Sequence, residues 1–158
     1  MKTIAIASLI FSSLTLVAAE HPAAQPVREQ TITVTAKTLA GLPRVKVEAK
    51  EHENPTATYE GVSLGAILER AGVPHGEKLR GKGLLAVVRI TATDGYEVVY
   101  TLAETDSAFT DRQIILADTK DGKPLPGKEG PFRVVAPSEK RPARWIRNVK
   151  TIAIVTMK

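Results

Sequence analysis

Two β-rich runs, Leu85 to Thr93 and Tyr96 to Leu102, meet at Asp94-Gly95. An Asp-Gly pair between such runs is the strongest short-range signal for a β-hairpin, because the favoured two-residue turn needs positive φ at both central positions. The same short-strand texture recurs along the chain. Thr31-Ile32-Thr33-Val34-Thr35 and Val45-Lys46-Val47-Glu48-Ala49 alternate polar and apolar residues, the pattern of half-buried strands. Gln113 to Ala117, Phe132 to Ala136 and Val149 to Val155 supply three more, and Asp121-Gly122 marks a further turn. A chain so punctuated is committed to a mostly β fold.

One stretch carries the helical period. Leu64, Ile67, Leu68 and Ala71 fall at i, i+3, i+4 and i+7, which places them on one face. Tyr59-Glu60-Gly61 leads into this helix, Ser63 can cap it, Gly72 is the expected C′ residue, and Pro74 prevents continuation. Leu39 to Pro43 is expected as a short turn or helical piece. Glu51 to Thr56 and His75 to Gly83 are expected as loops. The fold class is therefore α+β, mostly β with mixed sheets and one main helix. At 158 residues the chain can bury a core without staples, and 4% aromatic content leaves Val, Ile, Leu and Ala to fill it.

Residues 1–19 stand apart. Met1 and Lys2 form a cationic start, Ile4 to Val17 an apolar run, and Val17-Ala18-Ala19 a small-residue cleavage site, the order of a secretory signal peptide. The run is short for a membrane anchor, so no transmembrane segment is expected after cleavage. Residues 20–30 carry two prolines and no periodicity and are expected as a flexible lead-in, with a single domain over 31–158. The expected location is periplasmic or secreted. The net charge is +5. Nucleic acid is not expected as a partner, because export and few aromatics for stacking argue against it.

The chain has no cysteine. It can form no disulfide and offers no thiolate as nucleophile, redox centre or soft metal ligand. No phosphate-binding Gly-rich loop, His-Glu-x-x-His or Gly-x-Ser-x-Gly pattern is present. The three histidines, His21, His52 and His75, are far apart in loop-like segments and read first as surface residues.

The most unusual stretch lies late in the chain: Asp121 to Pro126, Glu129-Gly130-Pro131-Phe132-Arg133, then Lys140-Arg141-Pro142-Ala143-Arg144-Trp145. Arg133 alternates with Phe132 and Val134 and should project from the opposite sheet face. The single tryptophan is bracketed by Arg144 and Arg147. Guanidinium groups suit bidentate grips on phosphate or sulfate. Charge alone leaves open a plainer reading, a solvated basic loop with Trp145 as core anchor.

Gly61-Val62-Ser63-Leu64, Ala71-Gly72-Val73, Asp94-Gly95-Tyr96, Ile114 to Ala117, Asp121 to Pro126, Gly130-Pro131-Phe132-Arg133 and Arg144-Trp145-Ile146 together resemble the oxidoreductase molybdopterin-binding domain of the sulfite oxidase family. The resemblance runs from about Thr31 to Val155. It implies a molybdopterin cofactor whose metal is held by a protein cysteine and whose phosphate is held by basic side chains. By position it assigns cofactor-binding roles to Arg133 and Arg144, with Lys140 and Arg112 as further phosphate contacts. The family cysteine would fall in the stretch before the Gly-Val-x-Leu helix start. Here that stretch reads Lys50-Glu51-His52-Glu53-Asn54-Pro55. His52, Glu51 or Glu53 is then the candidate atypical ligand, since imidazole and carboxylate are ordinary metal donors, and atypical ligation is expected first through His52.

The expected function is a binding module that holds a pterin-type or small anionic ligand without redox turnover of its own, and no catalytic residue is assigned. Two alternatives are a molybdenum-dependent oxidoreductase with non-thiolate ligation and a cofactor-free interaction scaffold for a protein partner.

Overall fold

The computed structural model describes residues 27–52 and 54–156. The expected signal peptide, and the lead-in up to residue 26, lie outside the described residues. In chain order the strands are β1 (Gln30–Thr33), β2 (Arg44–Ala49), β3 (Ala57–Ser63), β4 (Ala86–Ala92), β5 (Glu97–Thr101), β6 (Ile115–Lys120), β7 (Lys123–Pro124), β8 (Arg133–Val135) and β9 (Val149–Thr156). The helices are α1 (Ala36–Leu39) and α2 (Leu64–Arg70), with single 3-10 turns between some strands. No helix among the described residues is long and apolar enough to cross a membrane.

The strands form two sheets. One has the order β1-β9-β4-β5; the other has β2-β3-β6-β7, with β8 also paired to β6. Every pairing among the described residues is antiparallel, which refines the mixed arrangement expected from sequence. Burial explains which strands sit centrally. β9 buries Val149, Ile152, Ala153 and Ile154 and lies between β1 and β4, opposing Ile152 to Ile90. Ile90, Ile152, Leu116 and Val134 are fully buried, and each such side chain contributes about 1.5–3 kcal/mol of transfer free energy.

The α2 helix follows its sequence signals. Leu64, Ile67 and Leu68 are buried, and Gly72 takes φ 79°. The Gly72 N–H donates to the Glu69 carbonyl at 2.9 Å and the Val73 N–H to the Leu68 carbonyl at 3.0 Å, the two bonds of a Schellman stop. Ser63 precedes the helix, yet its hydroxyl makes no capping bond.

Two turns differ from expectation. The β4–β5 hairpin is present, but Asp94 is not at positive φ; only Gly95 is, at 86°. The Gly95 N–H donates to the Ala92 carbonyl at 3.2 Å and the Ala92 N–H to the Tyr96 carbonyl at 2.9 Å, which makes a three-residue loop ending in a left-handed glycine. Asp94 Oδ1 accepts from the Tyr96 N–H at 3.0 Å and favours this shape. The two-residue turn with positive φ at both positions occurs instead at Asp121 (49°) and Gly122 (75°), joining β6 to β7.

The β3 strand was not expected. From sequence a loop is expected to end at Thr56 and Tyr59-Glu60-Gly61 to lead into the helix, yet β3 spans Ala57–Ser63 and is central in its sheet. Its register with β6 shifts between Glu60 and Gly61, leaving Asp118 without a partner across the ladder. A Cβ on Gly61 would lie 2.1 Å from the Leu116 carbonyl oxygen, so only glycine lets the strands approach there.

Candidate functional site

Arg133 projects from the face of β8 opposite Val134, as its alternation requires, but that face is interior. The side chain is 0% exposed. Its Nη1 donates to Glu129 Oε2 at 2.5 Å and to Glu51 Oε2 at 3.3 Å. Nη2 lies 3.3 Å from Glu51 Oε1, close enough for ionic attraction, yet neither Nη2 nor Nε is aligned on a protein acceptor. The guanidinium also sits 5.3 Å from the centre of the Tyr59 ring, whose edge meets Trp145.

Two more cations close the cluster. Arg147 Nη2 donates to Glu51 Oε1 at 2.6 Å, and Lys120 Nζ lies 3.7 Å from Glu129 Oε1. Burial pushes the Glu51 carboxyl up, but hydrogen bonds from Arg147 and Arg133 and their charges outweigh it and hold the group below its ordinary value. The network positions Glu51 as a buried carboxylate shared by two arginines. Arg133 thus lies in the interior between the Glu51 and Glu129 carboxylates, not on an open groove.

Arg144 has a different task. On β5 the outward edge exposes the Val99 carbonyl and the Thr101 N–H. Arg144 Nη1 donates to the first at 3.0 Å, and Glu104 Oε2 accepts from the second at 2.8 Å. Arg144 then pairs with Glu104 at 3.1 Å and with Glu139, and stacks 4.2 Å from the centre of the Tyr100 ring. An open strand edge is a template for unwanted pairing, and this arginine blocks it. Tyr96 and Tyr100 fix the same segment by donating to the carbonyls of Ala143 and Arg144 at 3.0 and 2.9 Å.

The remaining candidates are dispersed. Lys140 is exposed on the loop after β8. Arg112 lines a separate cleft beside α2. His52 is exposed at φ 52° and is the only one of the five to line the cleft next to the buried cluster. That cleft encloses about 390 Å³ and is bounded by His52, Glu51, Asp94, Tyr96, Lys128, Trp145, Arg147 and Asn148. The Asn148 side chain donates to the Lys128 carbonyl at 3.2 Å, and its N–H to the Glu129 carbonyl at 3.3 Å, so both sides of the mouth are tied together. The cleft contains two cations that sequence reasoning did not select, Lys128 and Arg147. Arg147 is half exposed, and among the described residues its side chain hydrogen-bonds through Nη2 to Glu51 alone. Its position two residues after the single tryptophan was the available signal.

With this geometry established, the family follows from one comparison: residues 13–158 match the model of the oxidoreductase molybdopterin-binding domain. The chain belongs to that family. No curated protein and no solved structure matches it. The mostly β architecture of two sheets with few helices agrees with an α+β molybdopterin-binding domain.

The residues present do not fit a molybdenum centre held through a protein thiolate. No cysteine exists in the chain, and the described residues contain no group of three or more His, Asp or Glu able to hold a metal ion. Of the two arginines that the family resemblance assigns to the cofactor, Arg133 is held by Glu51 and Glu129 and Arg144 by Glu104 and Glu139. What this molybdopterin-domain chain does offer is a polar cleft with Arg147 and Lys128 at its mouth.

Proposed function

We propose that this chain is an exported binding module with the molybdopterin-domain fold. It holds a small anionic ligand, a pterin phosphate or a simpler oxyanion, without redox turnover of its own. The observation that carries this reading is the contrast between two arginines. Arg133 is fully buried and matched by two carboxylates, whereas Arg147, half exposed and bonded among the described residues to Glu51 alone, lines the cleft. Bidentate donation from such a preoriented guanidinium suits phosphate or sulfate, and Lys128 adds a second charge. Export is supported by the order of residues 1–19, and the lack of a thiolate argues for binding over turnover.

The test uses the full chain produced in a host that makes molybdopterin and recovered from the exported fraction. Metal and pterin content are measured, and phosphate, sulfate and a pterin phosphate are titrated by calorimetry. Binding that Arg147→Ala and Lys128→Ala remove supports the proposal. Stoichiometric molybdenum that cycles between oxidation states, or no anion binding at all, overturns it. If His52→Ala removed bound molybdenum, the non-thiolate oxidoreductase would replace it. A scaffold reading draws on the exposed Leu84, Leu85 and Phe109, and requires a co-purifying partner whose binding survives Arg147→Ala.

A further inference from the structure

The second cleft, also about 390 Å³, lies between α2 and the loop after β5. Its floor is fixed by close packing. A Cβ on Gly65 would fall 2.2 Å from the Thr105 carbonyl oxygen, so the first turn of α2 rests directly on that loop. Asp106, 1% exposed, joins the two walls. Its Oδ2 accepts from the Gly76 N–H at 2.7 Å, its Oδ1 accepts from the Ala108 N–H at 2.9 Å, and Oδ2 lies 3.3 Å from His75 Nδ1. With Nδ1 turned to Asp106, the opposite ring nitrogen, Nε2, is the one left for other partners. His75 lines the cleft.

The charges are arranged unusually. Glu69, Asp111 and Arg112 all line this cleft, yet none forms an ion pair among the described residues. Opposite charges thus share one concavity without neutralising one another. The other cleft differs, because Arg147 is paired with Glu51 there. Ser63, whose hydroxyl makes no helix-capping bond, also lines this space.

We infer that this cleft is a second ligand site, independent of the one at Arg147, and that it takes a small zwitterion such as an amino acid or short peptide. The ligand carboxylate meets Arg112, its ammonium meets Glu69 and Asp111, and His75 accepts a further hydrogen bond through Nε2. A ligand carrying both charges satisfies both walls at once; a simple anion or a simple cation satisfies only one.

The experiment is heteronuclear NMR of the full chain, titrated with glycine and with glycylglycine. Acetate and methylamine serve as single-charge probes. The expected result is a saturable shift of the His75 ring Cε1–H signal and of the Gly76 and Ala108 amides with the zwitterions. Arg112→Ala, an exposed substitution, should abolish those shifts, and Arg147→Ala should leave them intact. Three results would overturn the inference: no saturable shift, equal response to acetate or methylamine, or unchanged binding in Arg112→Ala.

Discussion

Arg133 and Glu51 stand 82 residues apart in the chain and meet in the interior, with the guanidinium 0% exposed and its Nη1 3.3 Å from Glu51 Oε2. The pair ties the loop after β2 to β8, and Glu129 completes the match from the other side. Removing one member of a buried ion cluster leaves the others uncompensated, which typically costs about 3–5 kcal/mol. Arg133→Ala should lose stability of that order in urea unfolding. Adding Glu51→Gln and Glu129→Gln should recover part of it by removing the stranded charges. A loss below about 1 kcal/mol in the single variant would show the cluster to be solvated.

Acid sensitivity follows from the same carboxylate. Glu51 has a folded pKa below its ordinary value of 4.5, so near pH 4 the unfolded chain binds more protons than the fold does. Its stabilising contribution is complete above about pH 4.5 and is lost as pH falls through the lowered folded pKa. Asp118, lowered chiefly by its hydrogen bonds from Arg44, and Glu104, which burial raises but the Thr101 backbone and Arg144 lower further, act in the same direction. Melting temperature should fall as pH drops below about 4.5, and less steeply in Glu51→Gln. An identical acid slope in wild type and variant would remove Glu51 from the account.

Arg144 predicts a different failure. Arg144→Ala frees the Val99 carbonyl on the β5 edge and removes the stack on Tyr100. A stability loss of about 1–3 kcal/mol is expected from the lost charged hydrogen bonds and ring contact. Greater association at high concentration should accompany it, because the edge is then open to another strand. Light scattering measures the second effect. Arg144→Lys should restore solubility poorly, since an ammonium cannot span the carbonyl and Glu104 in the same planar fork.

Gly61→Ala tests the close approach of β3 to β6. A methyl group 2.1 Å from the Leu116 carbonyl forces the strands apart, and overpacking of this kind costs about 1–3 kcal/mol or more. Gly95→Ala meets no atom within 4 Å and strains only the backbone at φ 86°, so its loss should be about 1 kcal/mol. Comparable thermal shifts for the two variants would contradict the packing argument.

Strand and helix positions were legible where local patterning was strong. The alternation in β2, the helical spacing and stop signal of α2, and the hairpin at Asp94-Gly95 all specify structure through nearby residues. β3 was obscured because Ala57, Glu60 and Gly61 have weak strand character, and its place is fixed by pairing on both sides. Even the Asp-Gly signals divided between two turn geometries. Asp94 bonds locally to Tyr96, whereas Asp121 bonds to the backbone of Thr58 across the sheet.

The sequence by itself determined the mostly β domain with one stopped helix and, through the lack of cysteine, a site without thiolate chemistry. Both depend on residue type and short-range order. Only the tertiary structure decided which cations are free to meet a ligand. Burial and carboxylates occupy Arg133 and Arg144, while Arg147 and Arg112 each line a cleft. A guanidinium's availability depends on what the fold places beside it: Glu51 reaches Arg133 across 82 residues and Glu104 reaches Arg144 across 40, beside the nearer Glu129 and Glu139.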